Sequence, residues 1–321
     1  KKWKNILICF NEINIKYNNI YIYMLSISQI ALIVVIIIFI IVLCFTNNKD
    51  LNPPIINSNK KIALCFLIYD KINHEQIWYD YLKNIDPNKY NIYIHYKANK
   101  PLRYFNDYKL QNCIETCWGC LSIVLAQNLI LKEALKDPLN QHFIWLSGSC
   151  MPIKTFNYVY NYLDVNYSYY NMFPNSHIFP RANYALNYIE KKNIKKANMA
   201  SIINKKHAEL FVNNDDNIKK WFKYVGVPDE HAYISLLYHY NLQNELILTD
   251  DIAAGAIIFA QWSHMKNYKI FNKSIKINDY TYKYICPEEL EYLINSDSLF
   301  ARKFTPECKG IENLIELIKV N

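Results

Sequence analysis

The sequence predicts an α/β fold built on a doubly wound sheet, and three observations indicate it. The first is a continuous apolar run over 62–68, because strands buried on both faces of a parallel sheet read as unbroken apolar segments. The second is a pair of further strand-like segments at 90–96 and 143–146. The third is an apolar pattern at helical spacing over 121–135, which Asp137–Pro138 ends. Strands that alternate with helices are typical of a doubly wound sheet.

Length and composition fit one folded domain with attachments. The chain has 321 residues, of which 52% are apolar, 15% aromatic and 20% charged. These values exclude a disordered chain, a collagen and a disulfide-stabilised mini-protein. A domain of roughly 250 residues is an ordinary size, and we expect it over 61–310, with 311–321 as a C-terminal tail. The net charge of +8 is spread along the chain, so no nucleic-acid partner is expected.

The most apolar segment lies near the start of the sequence. No charged residue occurs from 17 to 48, and residues 30–45 form an unbroken apolar run. A helix over the 23 residues of 24–46 would be about 35 Å long, enough to cross a hydrocarbon core of about 30 Å. The stretch is longer than the apolar region of a cleaved signal peptide, and no small-residue cleavage site follows it. We therefore expect a transmembrane signal anchor over 24–46, embedded in a lipid bilayer.

The charges around this span predict its orientation. Four lysines and one glutamate precede it, so the positive-inside tendency predicts a type II protein with its large C-terminal part outside the cytosol. The first methionine is Met24. Residues 1–23 are therefore either a cytosolic tail or an untranslated upstream extension, and in the second case the lysines no longer count. The polar segment 47–60, which contains two prolines, is expected to be a short stem.

Nine cysteines leave the compartment open. Cys113, Cys117 and Cys120 form a C-x3-C-x2-C cluster, but no fourth ligand stands at zinc-motif spacing, so a zinc site is not expected. Disulfides can form if the domain is lumenal, although an odd number leaves at least one thiol unpaired. Acceptor triplets for N-glycosylation at Asn166 and Asn272 are compatible with a secretory route.

Polar segments follow the three predicted strands, at 69–70, 95–97 and 147–150. The carboxyl ends of parallel strands share one edge of a sheet, where ligands usually bind. The chain has five glycines and contains neither glycine-rich phosphate-binding motif. Asp-x-Asp, the usual carboxylate pair for a divalent ion in sugar-nucleotide enzymes, is also absent, and the adjacent pairs 215–216 and 250–251 would diverge on an extended segment. A phosphate-bearing ligand would therefore need cationic side chains, and a metal is disfavoured.

Four stretches, in this order and spacing, resemble the core-2/I-branching enzymes of glycosyltransferase family 14, including their plant-like and peptide-xylosyltransferase-like relatives. They are Trp118–Gly119 with the following Ser122 and Ala126–Gln127, the segment 144–155, the Pro-Asp-Glu-His sequence at 228–231, and the segment 299–304. The resemblance runs from about Lys61 to Cys308. Each motif is short, but four in register make a specific signal.

This resemblance implies a GT-A-type fold on a type II membrane anchor, in the Golgi or an equivalent secretory membrane with a lumenal catalytic domain. Members move a sugar, commonly N-acetylglucosamine, from a UDP donor to a glycan hydroxyl with inversion. The characterised branching enzymes need no metal, and the missing Asp-x-Asp agrees with this independently. The expected partners are a UDP-sugar and a glycan or glycoprotein acceptor, and no cofactor is expected.

The resemblance also implies roles for particular residues. Glu230 matches the catalytic base, which takes the proton of the acceptor hydroxyl as that hydroxyl attacks the anomeric carbon. Lys303 matches the lysine that binds the donor diphosphate in place of a cation and stabilises the leaving group. Arg302 stands beside it, and a guanidinium can bind phosphate oxygens bidentately. We expect Lys303 to point at the phosphate, because neighbours on an extended segment diverge. Lys283 is the nearest match to a second diphosphate cation.

Other matches concern the two substrates. Ile68, Tyr69 and Asp70 occupy the uridine-contacting turn after the first strand, and Trp262 matches a tryptophan on the acceptor side. Its alternative role is a plain core residue. The segment 196–208 resembles the lining of the acceptor cleft.

Two positions depart from the family pattern. Lys97 stands where branching enzymes usually carry an aspartate, and Cys150 replaces another acidic position. Both changes put the donor identity in doubt and bring the chain nearer the plant-like subgroup.

We expect a metal-independent inverting glycosyltransferase with N-acetylglucosamine as the default sugar. The alternatives are a xylosyltransferase of the same family and an inactive anchored glycan-binding protein, against which the intact Glu230 and Lys303 argue. A sulfotransferase is disfavoured, because the phosphate loop it needs is absent.

Overall fold

The structure, a computed structural model, describes residues 60–173, 178–250, 257–260 and 281–320. The predicted span 24–46 and the predicted acceptor residue Trp262 lie outside these ranges. Among the described residues, no helix has the length and apolar character needed to cross a bilayer.

Eleven strands and eight α-helices are assigned within the described ranges. The strands are β1 (Lys61–Ile68), β2 (Tyr90–Tyr96), β3 (Asn140–Ser147), β4 (Met151–Pro152), β5 (Ser168–Met172), β6 (Ile202–Asn204), β7 (Leu246–Asp250), β8 (Ile258–Ala260), β9 (Tyr282–Tyr284), β10 (Phe300–Arg302) and β11 (Phe304–Lys309). The helices are α1 (Glu75–Leu82), α2 (Ser122–Ala134), α3 (Phe156–Tyr162), α4 (Lys205–Asn213), α5 (Asp215–Trp221), α6 (Ala232–His239), α7 (Pro287–Asn295) and α8 (Leu314–Val320).

The predicted strand and helix segments of the first half are confirmed. β1 pairs in parallel with β2 on one side and with β3 on the other. Its side chains alternate between two buried apolar clusters, with Ile62 and Leu64 in one and Ala63 and Cys65 in the other. Helices α1, α3, α7 and α8 contribute to the first cluster, and α2, α4, α5 and α6 to the second. Helices therefore cover both faces of the sheet, which explains why β1 reads as a continuous apolar run.

The main sheet is mixed, which refines the predicted parallel arrangement. Its strand order is β2-β1-β3-β6-β5-β7, and β6 runs antiparallel to both of its neighbours. The reversed strand is only three residues long, Ile202–Asn204, and helix α4 begins directly after it. So short an apolar stretch carries no periodicity from which a strand or its direction could be predicted.

Two smaller sheets bring distant motifs together. β10 pairs antiparallel with β4 and parallel with β8, so the predicted motif at 299–304 lies beside the one at 144–155. The amide of Phe304 donates to the carbonyl of Ser149 at 2.9 Å. The folded unit also continues past its predicted end at residue 310, because Leu314 and Ile318 of α8 are buried in the core. The segment 311–320 therefore includes a packed helix where a tail was expected.

Candidate active site

The polar segments that follow β1, β2 and β3 meet at one edge of the main sheet, as the sequence predicts. The amide of Lys97 donates to the carbonyl of Tyr69 at 3.0 Å, and the Lys97 ammonium lies 5.7 Å from the centre of the Tyr69 ring. Tyr69 is 64% exposed, whereas Ile68 is buried. Asp70 accepts a hydrogen bond from Lys100 at 2.7 Å, which lowers the pKa of the Asp70 carboxyl.

A cavity of about 320 Å³ opens beside this edge. Its lining residues are Tyr96, Lys97, Gln111, Cys113, Ile114 and Glu115. Behind it, His95 is buried, and burial lowers the pKa of its imidazole to about 4. The neutral ring accepts a hydrogen bond at Nε2 from the amide of Ile114 at 3.0 Å. The histidine of the predicted 95–97 segment therefore supports the cavity wall, and Lys97 lines the cavity.

The loop after β3 is held against the turn after β1 by a close backbone approach. The amide of Asn73 donates to the carbonyl of Gly148 at 2.7 Å. A Cβ atom added at Gly148 would lie 2.3 Å from the carbonyl oxygen of Lys71. Only glycine fits at this position, because real Cβ atoms do not approach backbone oxygens so closely.

Glu230 lies at the end of a short 3-10 turn, Pro228–Glu230, and three backbone hydrogen bonds and one side-chain hydrogen bond hold the turn and its flanks. Gly226 donates to the carbonyl of Arg181 at 3.0 Å, and Val227 donates to that of Gly119 at 3.2 Å. The carbonyl of Glu230 accepts from the amide of Ala197 at 2.9 Å. The imidazole of the next residue, His231, donates from Nδ1 to the carbonyl of Lys195 at 2.8 Å. The predicted Trp-Gly motif thus supports the backbone that carries Glu230.

The Glu230 carboxylate forms an ion pair with Lys196, whose Nζ atom lies 3.2 Å from Oε2. The side chains of Lys196 and Glu230 are 8% and 19% exposed. Oε2 is buried and has no hydrogen-bond partner among the residues that the structure describes, so its contact with Lys196 is an ion pair in a site from which most water is excluded, where charge interactions are stronger than at a surface. A cavity of about 10 Å³ beside Glu230 is lined by residues that include Gln127, Asn198 and Asp229. It has room for about one water molecule.

Asp229 is a second carboxyl group at this turn. Burial, and then the neighbouring charge of Glu230, raise the pKa of Asp229 to about 6, while Arg302 opposes the rise. Its Oδ1 atom is buried and has no hydrogen-bond partner among the residues that the structure describes. The site therefore contains two adjacent carboxyl groups in different environments, one ion-paired and one desolvated.

Two of the three cations predicted for the diphosphate, Arg302 and Lys303, lie near these carboxyl groups. Burial and then the charge of Arg302 lower the pKa of Lys303, while the charge of Glu230 opposes that shift. Arg302 in turn acts on Asp229, and its Nε atom is buried without a hydrogen-bond partner among the described residues. Residues 302–303 thus place positive charge beside the carboxyl groups of the turn 228–230, which carries the predicted base, although more than 70 residues separate the two segments in the sequence.

Lys283 lies on β9, next to the strand that follows these cations. The amide of its neighbour Tyr282 donates to the carbonyl of Lys303 at 2.7 Å. The Lys283 side chain is exposed. The structure therefore brings the backbone of Lys283 close to the site and leaves its side chain at the surface.

The cysteine cluster contains a disulfide between Cys117 and Cys120. The bridge encloses Trp118, which is 86% exposed. It also encloses Gly119, whose carbonyl accepts the hydrogen bond from Val227 beside the turn that carries Glu230. Cys113 is a free thiol that lines the 320 Å³ cavity. Among the described ranges 60–173, 178–250, 257–260 and 281–320, no three His, Cys, Asp or Glu side chains are grouped to hold a metal ion.

Asp229 and Lys196 were not singled out from the sequence. A signal for Lys196 exists, because it precedes a run of small and apolar residues at 197–203, and a lysine in a buried segment needs a partner. For Asp229 the signal is the adjacent acidic residue Glu230. If a turn with two neighbouring carboxyl groups is buried, the ionised form of at least one of them is disfavoured. The partner of Lys196 is distant in sequence, and the burial of Asp229 is set by the fold, so neither feature could be read from the sequence.

Comparison with known proteins identifies a family and a curated relative. The profile of the Core-2/I-Branching enzyme family matches residues 62–287. The chain is 25% identical over 320 residues to glycosyltransferase BC10 of Oryza sativa subsp. japonica, covering 84% of this chain and 79% of that protein.

Two solved structures are more distant. The galactosyltransferase LgtC, solved with donor and acceptor sugar analogues, is 8% identical with a TM-score of 0.42, over 81% of this chain and 96% of LgtC. A glycosyltransferase that acts in glycosylation of the PBCV-1 major capsid is 13% identical with a TM-score of 0.34, over 75% of this chain and 94% of that one. Similarities this weak assign neither substrate nor mechanism.

Proposed function

The chain belongs to the core-2/I-branching enzyme family and is a glycosyltransferase, and from this premise we propose that it transfers a sugar from a UDP-sugar to a glycan hydroxyl with inversion, Glu230 being the general base. The observation that carries the proposal is the convergence of two distant motifs. The turn 228–230 and the segment 302–303 place a carboxylate and two cations in one partly buried site.

The proposed reaction uses these charges in one displacement. Glu230 removes the proton from the acceptor hydroxyl, and the hydroxyl oxygen forms a bond to the anomeric carbon. The bond from that carbon to the diphosphate oxygen breaks at the same time, and UDP leaves with the electron pair. Attack from the face opposite the leaving group inverts the anomeric configuration. Lys303 and Arg302 stabilise the negative charge that develops on the diphosphate.

We further propose that these cations replace a metal ion. A lysine ammonium and an arginine guanidinium bind phosphate oxygens strongly where water is excluded. The sequence lacks the Asp-x-Asp pair, which supports the same assignment. Ile68, Tyr69 and Asp70, together with the adjacent cavity lined by Lys97, form the proposed uridine side of the site.

The donor sugar and the location are also proposals. N-acetylglucosamine is the donor sugar we propose, and xylose is the alternative, because Lys97 and Cys150 depart from the pattern of the branching enzymes. The apolar segment 24–46 supports a type II membrane protein of the Golgi or an equivalent secretory membrane. Trp262 is the proposed acceptor-side tryptophan.

The test is a donor panel with the detergent-solubilised full chain and EDTA. UDP release is measured with UDP-N-acetylglucosamine, UDP-xylose and other UDP-sugars, for the native chain, for Glu230→Gln and for the control Glu291→Gln, whose side chain is exposed on α7. We expect one donor to be turned over, a loss of about 10²–10⁴-fold in kcat for Glu230→Gln, and no change for the control. Turnover that needs an added divalent ion would contradict metal independence, and full activity of Glu230→Gln would remove the proposed base.

A further inference from the structure

We propose that Lys196 is a positioning residue for the general base, holding the Glu230 carboxylate ionised and oriented through its contact with Oε2. The inference rests on the proposed function, since it assigns to Lys196 a part in the ionisation of the proposed base. The substrate does not contact Lys196 in this proposal, so its effect is exerted through Glu230.

The ion pair is built into the fold. Lys196 Nζ lies 3.2 Å from Glu230 Oε2, and the lysine side chain is 8% exposed. The ammonium also lies 4.1 Å from the centre of the Phe173 ring, a distance at which the face of an aromatic ring attracts a cation. Two different contacts therefore fix the ammonium, and its freedom to leave the carboxylate is small.

The backbones of the two partners are joined as well. The carbonyl of Lys196 accepts from the amide of Phe173 at 3.0 Å, and the carbonyl of Glu230 accepts from the amide of Ala197 at 2.9 Å. The preceding residue, Lys195, is bonded by the side chains of His231 and Ser235. These bonds fix the segment 195–197 against the turn that carries Glu230, so the lysine and the glutamate are held in register.

The pair has a chemical consequence for the reaction. A general base must be unprotonated before the acceptor hydroxyl approaches, and a carboxylate in a water-poor site favours its neutral form unless an opposite charge lies close by. Lys196 supplies that charge at Oε2. In the proposed reaction the proton of the acceptor hydroxyl passes to Oε1, so the ammonium does not compete with the substrate for that oxygen.

Other charged groups surround this pair and must be considered together. Asp229 is adjacent in the turn, and Arg302 and Lys303 act on the two carboxyl groups from β10 and the residue after it. Burial first, and then the charges of Lys196 and Arg181, lower the pKa of His231 to about 4 against the effect of the Lys195 carbonyl. His231 is therefore neutral at physiological pH, and its Nδ1 proton is donated to Lys195.

The experiment measures pH profiles of kcat/KM for the full chain and three variants. Lys196→Met keeps the aliphatic stem and removes the charge, Lys196→Arg keeps the charge, and Lys195→Met is the matched control. The control side chain lies 4.8 Å from the Tyr238 ring, and its backbone bonds to His231 do not depend on the side chain. UDP binding, measured by calorimetry, reports whether each variant is folded.

We expect Lys196→Met to lower kcat by about 10–100-fold and to move the acidic limb of the profile upward by about one pH unit, since a neighbouring charge shifts carboxyl ionisation by this order. UDP affinity should stay within about twofold. Lys196→Arg should restore the acidic limb, and Lys195→Met should match the native chain. An unchanged limb and kcat in a folded Lys196→Met would overturn the proposal.

Folding failures and a wrong function are distinguished by further results. If Lys196→Met does not bind UDP, Lys196→Gln replaces it, because glutamine keeps a polar side chain and removes the charge. If both neutral variants unfold while Lys196→Arg folds, the pair is structural only and the proposal is overturned. If the native chain turns over no UDP-sugar at all, or Glu230→Gln is fully active, the proposed function fails first and the role of Lys196 fails with it.

Discussion

The edge of the sheet where β1, β2 and β3 end and the turn that carries Glu230 are built in different ways. At the edge, the segments after β1, β2 and β3 meet because parallel strands end together, and their side chains are partly open to solvent, as the 64% exposure of Tyr69 shows. The catalytic turn has no such strand to define it. It is held by backbone bonds from Arg181, Gly119 and Ala197, and its carboxyl groups are largely buried.

This difference in construction predicts that the two regions respond differently to substitution. Side chains at the end of a sheet are placed by a regular scaffold, so each segment can be altered with local consequences. The catalytic turn depends on contacts from several distant segments, so its charges are coupled through one desolvated volume. Changes in the turn should therefore alter ionisation and rate together, and changes at the edge should alter packing or binding alone.

The largest effect that sharpens this comparison is expected from Lys303→Met. Loss of a cation next to the leaving diphosphate should lower kcat by about 100-fold, because charge stabilisation in a water-poor site acts mainly in the transition state. Lys309, which is exposed on β11, serves as the control, and Lys309→Met should lower kcat by less than about threefold. Steady-state kinetics of UDP release measure both. Equal losses of kcat in the two variants would show that the size of the loss does not depend on the burial of the lysine.

A structural effect of intermediate size is expected at the edge from Gly148→Ala. The added methyl group would lie 2.3 Å from the Lys71 carbonyl oxygen, and relief of this overlap should cost about 2–3 kcal/mol in the free energy of unfolding. Denaturant unfolding measures the change. If this edge binds uridine as proposed, UDP affinity should weaken as well. A neutral result would mean that the two backbones can separate without cost.

The smallest effect concerns pH and the catalytic turn. The pKa of Asp229 is raised from 3.8 to about 6, so the folded state binds more protons than the unfolded state between these values, and stability falls as pH rises through that window. Asp229→Asn removes this loss. At pH 7.5 the variant should be more stable than the native chain by roughly 1–2 kcal/mol, since the buried amide gives back part of the gain.

Thermal or denaturant unfolding at pH 4 and pH 7.5 measures that prediction. At pH 4, where the native carboxyl is protonated, Asp229→Asn should lose this advantage and be less stable than the native chain by roughly 1 kcal/mol, because the cost of the buried amide remains. A constant difference at both pH values would indicate that packing, and not charge, distinguishes the two side chains. That result would also contradict the view that the turn carrying Glu230 is desolvated while the edge of the sheet is open to solvent.

Much of the fold was predictable because its signals are local. β2 has the predicted bounds, and β1, β3 and α2 differ from prediction by at most a few residues. Each of these segments has a hydrophobic pattern long enough to specify its type. β6 and α8 were not predicted. The first has three residues, and the second could be distinguished from a polar tail only by the burial of Leu314 and Ile318.

The candidate site divides in the same way. Glu230, Lys303, Arg302, Lys283 and the turn at 68–70 were identified from motifs, and their functional roles stay predictions until the variants are measured. The ion pair of Lys196 with Glu230 and the raised pKa of Asp229 could not be identified from motifs. Both depend on which distant residues are buried together, and the hydrophobic periodicity of the chain does not predict this.

The sequence by itself determined the α/β class, the order of the first strands and helices, the resemblance to its family and the residues that could carry charge in the reaction. Hydrophobic periodicity and short motifs are enough for these, because they concern residues that are neighbours along the chain. The tertiary structure decided the direction of β6, the packing of α8 and the electrostatic state of Asp229, and it paired Lys196 with Glu230. Those features depend on burial and on distances between remote segments, which set the local dielectric environment and therefore the strength of every charge interaction.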